Sequence, residues 1–476
     1  MSVTLSIPRF VDLPALGADP LSFLRTAHNS LGEIAVISED QSIFSGARPC
    51  SGVVAVFGEP ALRQVMTDPD VFGMPISKAK SLSLPPSLQR LNAGLFTMTG
   101  EQHRSRQQLL LRLLGRQSAP DNCDAIVGGW FAFRDELRPE QDVSLLSEMR
   151  RLILNISGRV IFGDAGLGLG RLIQTYFDDR RKFSGTDGST GLPVRRELVR
   201  TGLRLDGMLR ARLAELCAER AFNGQECMFA RLSKLEISSG EFLADDELIA
   251  HGNVLFMSSS EPVAVALTWI LLLLSQRPDL RRAIRQELRT AFNDGTIPHY
   301  FSEAQLPLLN GVVKETLRLL PPNAIMVRLT TREGQVLRHQ LPASCEVVLS
   351  PYVAHRDAQT YIEPDRFDPG RWRDFNPSPY SYFPFGIGTR YCLGKQLASF
   401  TLISVLARML SEYDIFLSLD QSIDWKMDIT LMPSSDPMVR FVPVTVSNEV
   451  CIGGHLSGPV EALVNGVAAI SSASSR

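Results

Sequence analysis

The sequence predicts one large, mainly α-helical fold with small β-sheets, and three observations support this prediction. Apolar residues recur at helical spacing over long stretches after about residue 100, as in Gln102–Leu114 and Ser144–Phe162. The longest such stretch, Asp245–Leu274, begins with acidic residues and then becomes apolar on all sides, which is typical of a helix in the middle of a large domain. The β-rich runs are short and begin near the N-terminus, at Ile34–Ile37 and Gly52–Phe57. Further helices are predicted at 197–232, 278–292, 306–320 and 398–411, and further strands at 327–330 and 346–349.

Composition along the chain predicts its domain organisation. We expect residues 1–452 to form a single domain and the Gly/Ser/Ala-rich residues 453–476 to be a disordered tail. Residues 351–391 have almost no periodic pattern, and an irregular run of that length inside a compact chain is usually functional. The segment 164–170, Asp-Ala-Gly-Leu-Gly-Leu-Gly, is predicted to be a loop, and it lacks the βαβ context that a dinucleotide site requires.

The overall composition excludes several classes of protein. A chain of 476 residues that is 44% hydrophobic and 21% charged can bury a large core, so it is not intrinsically disordered. Its net charge of −2 supplies no general attraction for nucleic acid or an anionic bilayer. Seven scattered cysteines without a C-x-x-C pair argue against a disulfide framework or a structural zinc site. The longest apolar run, Val263–Leu274, is shorter than the roughly 18 to 20 residues of a membrane span, and no signal peptide is visible. We therefore expect a soluble, cytoplasmic protein.

The strongest chemical signal is a cysteine, Cys392, in a glycine-rich loop that precedes a predicted helix. The segment reads Phe385-Gly-Ile-Gly-Thr-Arg-Tyr-Cys-Leu-Gly-Lys-Gln-Leu-Ala398. The dipole and free N–H groups of a helix N-terminus favour a thiolate. Gly388 and Gly394 let backbone N–H groups and a flat ligand come close, Arg390 offers a guanidinium to a carboxylate, and Phe385 shields the sulfur from water. A shielded thiolate of this kind suits a bond to iron, whereas the alternative is a structural cysteine beside an ordinary glycine turn.

This segment resembles the haem-binding loop of the cytochrome P-450 superfamily, F-x-x-G-x-R-x-C-x-G, and two more motifs of that superfamily precede it in the expected order. Glu315 and Arg318 match the E-x-x-R helix, in which positions i and i+3 share a face. The segment Pro364-Asp-Arg366-Phe367 resembles the P-x-R-F motif, whose arginine completes a buried triad, so the resemblance implies a structural triad of Glu315, Arg318 and Arg366. The match covers about residues 30 to 445, strongly after residue 250 and weakly before it.

The resemblance implies a haem b cofactor, iron protoporphyrin IX, with Cys392 as the axial ligand of the iron. Phe385 and Gly394 would border the cofactor. Its propionates would be bound by Arg390, Arg328 and His103, residues that match the superfamily's positions. The superfamily often has an arginine four residues after this histidine. Here that position is Gln107, and Arg106 is expected to take its place because positions i+3 and i+4 share a helix face.

The long central helix departs from the superfamily's pattern. An acidic residue followed by threonine usually lies over the dioxygen-binding side, and the threonine hydroxyl helps to deliver protons. Here Glu261 takes the acidic position and Pro262 the threonine position. Proline has neither a hydroxyl nor an N–H group, so we expect a kink and a wetter groove, with Glu261 and the hydroxyls of Ser258, Ser259 or Ser260 as the catalytic proton relay. The alternative is that Pro262 merely bends a buried helix.

Two further sets of residues follow from the topology of the superfamily. The first set would contact the substrate. It comprises Phe256, Met257, Ala324, Ile325, Met326 and the turn near Leu431-Met432. The second would form a basic docking face for an acidic electron donor, or else a generic charged surface, and comprises Arg104, Arg106, Arg112, Arg116 and Lys395.

The function implied is that of a haem-thiolate monooxygenase, an oxidoreductase that hydroxylates or epoxidises a hydrophobic small molecule. Natural products of secondary metabolism, terpenoids and fatty acids are the expected substrate classes, and nothing in the sequence selects among them. Dioxygen is the co-substrate, and a separate ferredoxin or flavoprotein reductase is expected to supply electrons because no flavin or iron–sulfur segment is recognised. Two alternatives stay open. The missing threonine favours a haem-thiolate isomerase, dehydratase or peroxide-driven enzyme, and the intact triad does not exclude a haem sensor without turnover.

Overall fold

The structure is a computed structural model. It describes residues 7–75, 85–164, 166–184, 192–218, 226–238, 240–292, 295–427, 429–444, 453–458 and 460–461. Among these residues the α-helices are, in chain order, α1 (Leu13–Ala18), α2 (Pro20–Leu31), α3 (Glu59–Thr67), α4 (Pro86–Leu91), α5 (Gly100–Leu114), α6 (Ser118–Glu136), α7 (Leu145–Phe162), α8 (Gly166–Ser184), α9 (Leu192–Ala218), α10 (Met228–Ser233), α11 (Asp245–Ser275), α12 (Pro278–Ala291), α13 (Pro307–Leu319), α14 (Pro351–Ala354) and α15 (Lys395–Glu412).

The strands of the described residues are β1 (Ile34–Ser38), β2 (Val53–Val56), β3 (Phe72–Gly73), β4 (Asp142–Ser144), β5 (Glu236–Ser238), β6 (Glu241–Phe242), β7 (Met326–Thr330), β8 (Gly334–Val336), β9 (His339–Leu341), β10 (Glu346–Leu349), β11 (Tyr413–Leu417), β12 (Gln421–Ser422), β13 (Trp425–Met427), β14 (Leu431–Pro433), β15 (Met438–Pro443) and β16 (Leu456–Ser457). The largest sheet has the order β1-β2-β10-β7-β3, and a second has the order β11-β15-β4. The remaining strands form two-stranded ribbons. The prediction of a mainly α fold with small β-sheets is confirmed.

Helix α11 is the centre of the core. Nearly every residue from Val263 to Ser275 is buried, and the helix packs most extensively against α7. Within the described residues it is the helix that is long and apolar enough to cross a membrane, yet most of its side chains are buried inside the protein. An all-round apolar helix is stable in water only when neighbouring helices cover it, as they do here. The position of α11 therefore organises the helices around it.

Helix α13, which carries Glu315 and Arg318, is placed by its neighbour α12. The Glu287 carboxylate on α12 accepts the backbone N–H groups of Leu308 and Leu309 at 2.6 and 3.0 Å. These groups lie in the first turn of α13, where N–H groups have no partner within the helix. The carboxylate satisfies them and fixes the start of the helix.

The prediction of a loop at 164–170 is wrong, because α8 begins at Gly166, where a close approach to α7 requires glycine. A Cβ atom at Gly166 would lie 2.1 Å from the carbonyl oxygen of Gly158. At the start of the predicted tail, β16 pairs in parallel with β12, and the Val460 N–H donates to the carbonyl of Ile423 at 3.1 Å. The disorder of the tail as a whole stays a prediction. The final residues, 462–476, lie outside the described residues.

We expect Gly166→Ala to destabilise the protein by about 1–3 kcal/mol, because the added methyl group forces α8 away from α7. Gly207→Ala is the matched control, since Gly207 lies in α9 with open space around its missing Cβ. That change should stabilise the protein by about 0.5–1 kcal/mol through helix propensity. Urea denaturation of both variants measures the difference, and an equal effect of the two changes would contradict the close approach of α7 and α8.

Candidate active site

Cys392 lies three residues before the first residue of α15, in a loop that backbone hydrogen bonds close. The Cys392 N–H donates to the carbonyl of Phe385 at 2.8 Å. Gly388 has a φ of +70°, and a Cβ there would lie 2.0 Å from the Met66 carbonyl oxygen, so the loop requires glycine at this position. The Cys392 side chain is exposed. Protein packed around the thiol desolvates it and raises its pKa, whereas the Gly394 N–H and the Lys395 ammonium act in the opposite direction.

Three basic side chains that the sequence predicted to bind propionates come together beside this loop. Arg328 on β7 and His103 on α5 are buried, and Arg390 is half-buried. Desolvation, with repulsion from Arg390, lowers the pKa of Arg328 to about 10 and that of His103 to about 4. Desolvation also lowers the pKa of Arg390. The cluster therefore holds two guanidinium groups and a neutral imidazole in a poorly solvated place.

This cluster lacks a negative charge of its own. The hydrogen bonds of Arg390 go to the carbonyls of Leu95 and Met98, at 3.4 and 2.6 Å, and that of Arg328 goes to the carbonyl of Val327. No carboxylate within the described part of the chain pairs with either guanidinium. Buried cations are normally paired, so the site fits a ligand that brings carboxylates. A porphyrin with propionate groups has this chemistry, and its iron would face the Cys392 thiolate.

Arg106 is not part of this cluster, and the prediction that it replaces the missing arginine at Gln107 is wrong. Its guanidinium binds Glu247 on α11, with Nε–Oε1 at 2.5 Å and Nη2–Oε2 at 3.2 Å. Burial raises the pKa of Glu247, but the contact with His251 and the ion pair with Arg106 outweigh this effect and lower the pKa to about 2. Gln107 instead supports the cysteine loop, because its side-chain amide donates to the carbonyl of Thr389 at 2.9 Å.

Glu315 and Arg318 are completely buried and form a bidentate ion pair with two bonds of 2.9 Å. Arg318 also donates to the backbone carbonyls of His355, Pro364 and Arg366. It thereby ties three points of the irregular segment 351–391 to α13. This confirms the predicted pairing of Glu315 with Arg318.

The third member of the predicted triad is wrong, because the Arg366 side chain is exposed and pairs with Glu363. Glu315 instead accepts from Arg371 Nε at 3.4 Å, from Trp372 Nε1 at 2.9 Å and from the Asp368 backbone N–H at 3.0 Å. The sequence contains a signal for this arrangement. Pro369-Gly-Arg371-Trp372 repeats the Pro-x-Arg-aromatic pattern five residues after Pro364-Asp-Arg366-Phe367.

On α11 the predicted relay residues point in different directions. Ser258 is exposed and lies four residues before Pro262, so the two share a helix face. Ser260 is buried and shares its face with the core residue Phe256, which removes it from the relay. Glu261 forms an ion pair with Arg150 on α7, with Oε2–Nε at 3.0 Å, and this ion pair fixes the position of the Glu261 carboxylate. The helix is continuous through Pro262, which leaves the Ser258 carbonyl without its helical N–H partner.

The weak substrate assignments are also divided by the structure. Phe256 is fully buried in the core and stacks on Phe162 with ring centroids 5.9 Å apart, and its assignment stays a prediction. Ala324 is likewise fully buried. Met257, Ile325 and Met326 are half-buried, and their assignment stays a prediction.

The predicted basic face is only partly available. Arg104 and Arg112 are exposed on α5 and Lys395 is exposed at the start of α15, whereas Arg106 is occupied by Glu247. Arg104 forms an exposed pair with Glu101, and Arg112 donates to the carbonyl of Glu236. Exposed pairs of this kind are weak, so both charges remain accessible to a partner.

Comparison with known proteins agrees with this geometry. The cytochrome P450 family model matches residues 207–441. The mitochondrial sterol 26-hydroxylase of Rattus norvegicus is 31% identical over 211 residues, 42% of this chain and 40% of that protein. The mitochondrial 25-hydroxyvitamin D-1 alpha hydroxylase of Rattus norvegicus is 35% identical over 170 residues, 34% of each chain. The chain thus matches less than half the length of these relatives.

Solved structures share the whole fold. A cyanobacterial cytochrome P450 with bound retinoic acid has a TM-score of 0.75 and 21% identity, over 93% of this chain and 100% of that one. The cytochrome P450DA haem domain has a TM-score of 0.76 and 18% identity, over 92% and 97% of the two chains. Residues 207–441 thus belong to the cytochrome P450 family, and the fold of the chain is that of the solved cytochrome P450 structures. The superfamily implies a thiolate-ligated haem, which the cysteine loop and the unpaired guanidinium groups fit.

We expect Arg371→Ala to lower the free energy of unfolding by about 3 kcal/mol, because it removes a buried cation from the Glu315 carboxylate. Arg366→Ala is the matched control, since that side chain touches only Glu363, and its unfolding curve should overlay that of the unmodified protein. Chemical denaturation gives both values. If Arg366→Ala were the damaging change, the assignment of the third triad position to Arg371 would be wrong.

Proposed function

We propose that the protein is a monooxygenase that hydroxylates or epoxidises a hydrophobic small molecule with dioxygen. The observation that carries this proposal is the exposed Cys392 in its glycine-bounded loop, beside guanidinium groups that lack a carboxylate. Both named relatives described above are hydroxylases, which supports the reaction class. The cytoplasmic location stays a prediction.

We infer that the cofactor is haem b, which would supply dioxygen activation when bound through a cysteine thiolate. Arg328 and Arg390 would bind its carboxylates by charge-assisted hydrogen bonds, and neutral His103 would donate an additional N–H. Phe385 would border the cofactor, and the Gly394 N–H would stabilise the negative charge of the sulfur. Gln107 and the Glu315 cluster hold the loop in place without contributing to the chemistry.

Proton delivery on the α11 side is assigned to Ser258. Its hydroxyl is exposed, lies one turn before Pro262, and donates to the carbonyls of Val254 and Leu255 at 2.8 and 3.1 Å. The Ser258 carbonyl has no helical partner, so it offers an acceptor for a water molecule at the same place. Glu261 is paired with Arg150, so the relay is assigned to Ser258 and this water alone.

Electrons are proposed to come from a separate ferredoxin or flavoprotein reductase. Arg104, Arg112 and Lys395 form the accessible positive charges on the side of the cysteine loop, which suits an acidic donor. The substrate is proposed to be a natural product, terpenoid or fatty acid, in keeping with the apolar residues Met257, Ile325 and Met326.

A second function is favoured by one observation, namely Pro262 where a hydroxyl is expected. A haem-thiolate isomerase, dehydratase or peroxide-driven enzyme needs no proton delivery to dioxygen. Turnover that continues without reductant and dioxygen would support an isomerase or dehydratase, and turnover that requires only added peroxide would support a peroxide-driven enzyme.

We expect the reduced, carbon-monoxide-treated protein to show the red-shifted Soret maximum of thiolate ligation, and Cys392→Ser to lose it. Cys50→Ser is the control, because that half-buried cysteine lies in a different part of the fold. Optical spectroscopy of the three proteins after reconstitution with haemin makes the measurement. An unchanged spectrum of Cys392→Ser would refute the proposed cofactor site.

We expect Ser258→Ala to reduce the yield of product per electron consumed severalfold, because it removes the exposed hydroxyl that lies one helical turn before Pro262. Ser260→Ala should leave the yield unchanged, since its hydroxyl is buried and bonds only to the carbonyl of Met257 at 3.3 Å. The ratio of product formed to reduced nicotinamide consumed is the quantity to measure. Equal yields in both variants would remove Ser258 from the relay.

A further inference from the structure

The segment Pro86–Met98, which we call the wall segment, is held by contacts with α8, α11 and Arg390. In the middle of the segment the Asn92 side chain joins it to α8. The Asn92 amide nitrogen donates to the Tyr176 hydroxyl at 2.8 Å and to the carbonyl of Leu88 at 2.7 Å. The amide oxygen accepts from Arg180 Nη1 at 2.7 Å. One side chain thus connects the end of α4 with two residues of α8.

The packing around Asn92 leaves little freedom. Tyr176 is fully buried, and burial raises its pKa, so the phenol remains neutral. A Cβ at Gly202 on α9 would lie 2.5 Å from Leu88 and 2.9 Å from Tyr176, so the glycine provides the space in which both side chains fit. Displacing α4 from α8 would therefore expose buried polar groups and open a packed interface.

The middle of the wall segment lies against α11. The Asn253 amide nitrogen donates to the carbonyl of Leu91 at 3.1 Å. A Cβ at Gly94 would lie 2.5 Å from a methyl carbon of Val254 and 3.1 Å from the carbonyl oxygen of Ala250. The backbone at Gly94 is thus in direct contact with α11. Because this contact leaves no free space, a displacement of Asn92 would also displace the residues that follow it.

The C-terminal end of the wall segment binds the Arg390 side chain. The carbonyl of Met98 accepts from Arg390 Nη2 at 2.6 Å, and the carbonyl of Leu95 accepts from Nη1 at 3.4 Å. These are the side-chain hydrogen bonds that orient the Arg390 guanidinium within the described residues. Only two residues separate Asn92 from Leu95 in the chain.

We propose that Asn92 is a positioning residue for the cofactor, which fixes the wall segment against α8 and thereby orients Arg390 toward a haem carboxylate. The proposal rests on the cofactor of the proposed function. The contact of Asn92 with Tyr176 and Arg180 thereby gains a role in cofactor retention. Tyr176 and Arg180 lie on α8 and not in the cysteine loop.

The test is a double-mutant cycle on the rate of haem transfer to excess apomyoglobin, measured optically with Asn92→Ala, Arg390→Ala and the double variant. Asn92→Ala should accelerate haem loss about fivefold to tenfold, the factor expected for one or two lost hydrogen bonds. The same change in the Arg390→Ala background should have almost no effect, because the group that it positions is gone. Tyr176→Phe, which removes only the phenol oxygen, should accelerate haem loss in the same direction.

Thr175→Ala is the matched control on α8, because the Thr175 hydroxyl is exposed and bonds only to the carbonyl of Arg171. It should leave the rate of haem loss unchanged. Additive effects of Asn92→Ala and Arg390→Ala would overturn the proposal, since they would mean that Asn92 merely closes the wall. Unchanged haem loss in Asn92→Ala would overturn it as well. Failure of the unmodified protein to bind haem would instead refute the proposed function.

Discussion

The buried carboxylate of Glu315 is the constraint on which the rest of the site depends. It lies in α13 with no exposure to solvent, so its charge is stable only if protein donors replace the water that it has lost. Arg318, Arg371, Trp372 and the Asp368 N–H together supply these donors. All except Arg318 come from the irregular segment 351–391, which forms few regular backbone hydrogen bonds. The carboxylate thus anchors the middle of that segment, and the last residues of the segment enter the cysteine loop.

A second constraint is the concentration of positive charge beside the cysteine loop. Desolvation destabilises the charged forms of Arg328 and Arg390, and repulsion from Arg390 adds to this effect at Arg328. A protein tolerates such an arrangement when a bound anion compensates it. The binding energy of a dicarboxylate cofactor is therefore also folding energy for this region, as it is for a structural metal. This link explains why the unpaired guanidinium groups point to a cofactor more clearly than the cysteine alone.

Sequence reasoning recovered the features that are periodic or contiguous in the chain. The long helices, the short strands and the cysteine loop are encoded locally, so spacing alone located them. It failed where the choice depended on side-chain direction. Arg366 and Arg371 occupy equivalent places in two copies of one short pattern, and only packing against α13 shows which copy reaches Glu315. Arg106 and Gln107 are adjacent on α5, yet one faces Glu247 and the other faces Thr389. The strand β16 was missed because its pairing with β12 is a long-range contact that outweighs a weak local composition.

The same distinction bears on the departure at Pro262. The substitution removes a hydroxyl and an N–H at one point of α11, and the neighbouring polar groups are not interchangeable replacements. Ser260 faces the core, Ser259 donates to Phe256 and contacts Ser157, and Glu261 is paired with Arg150. Ser258 remains because helix geometry puts it on the face of the lost hydroxyl, one turn away. Proton delivery at this point then depends on a water molecule between the Ser258 hydroxyl and the Ser258 carbonyl, which has no helical N–H partner. Such a water is held less rigidly than the hydroxyl of a threonine side chain would be. The coupling of electron flow to product would consequently depend on how well the substrate excludes other water from the groove.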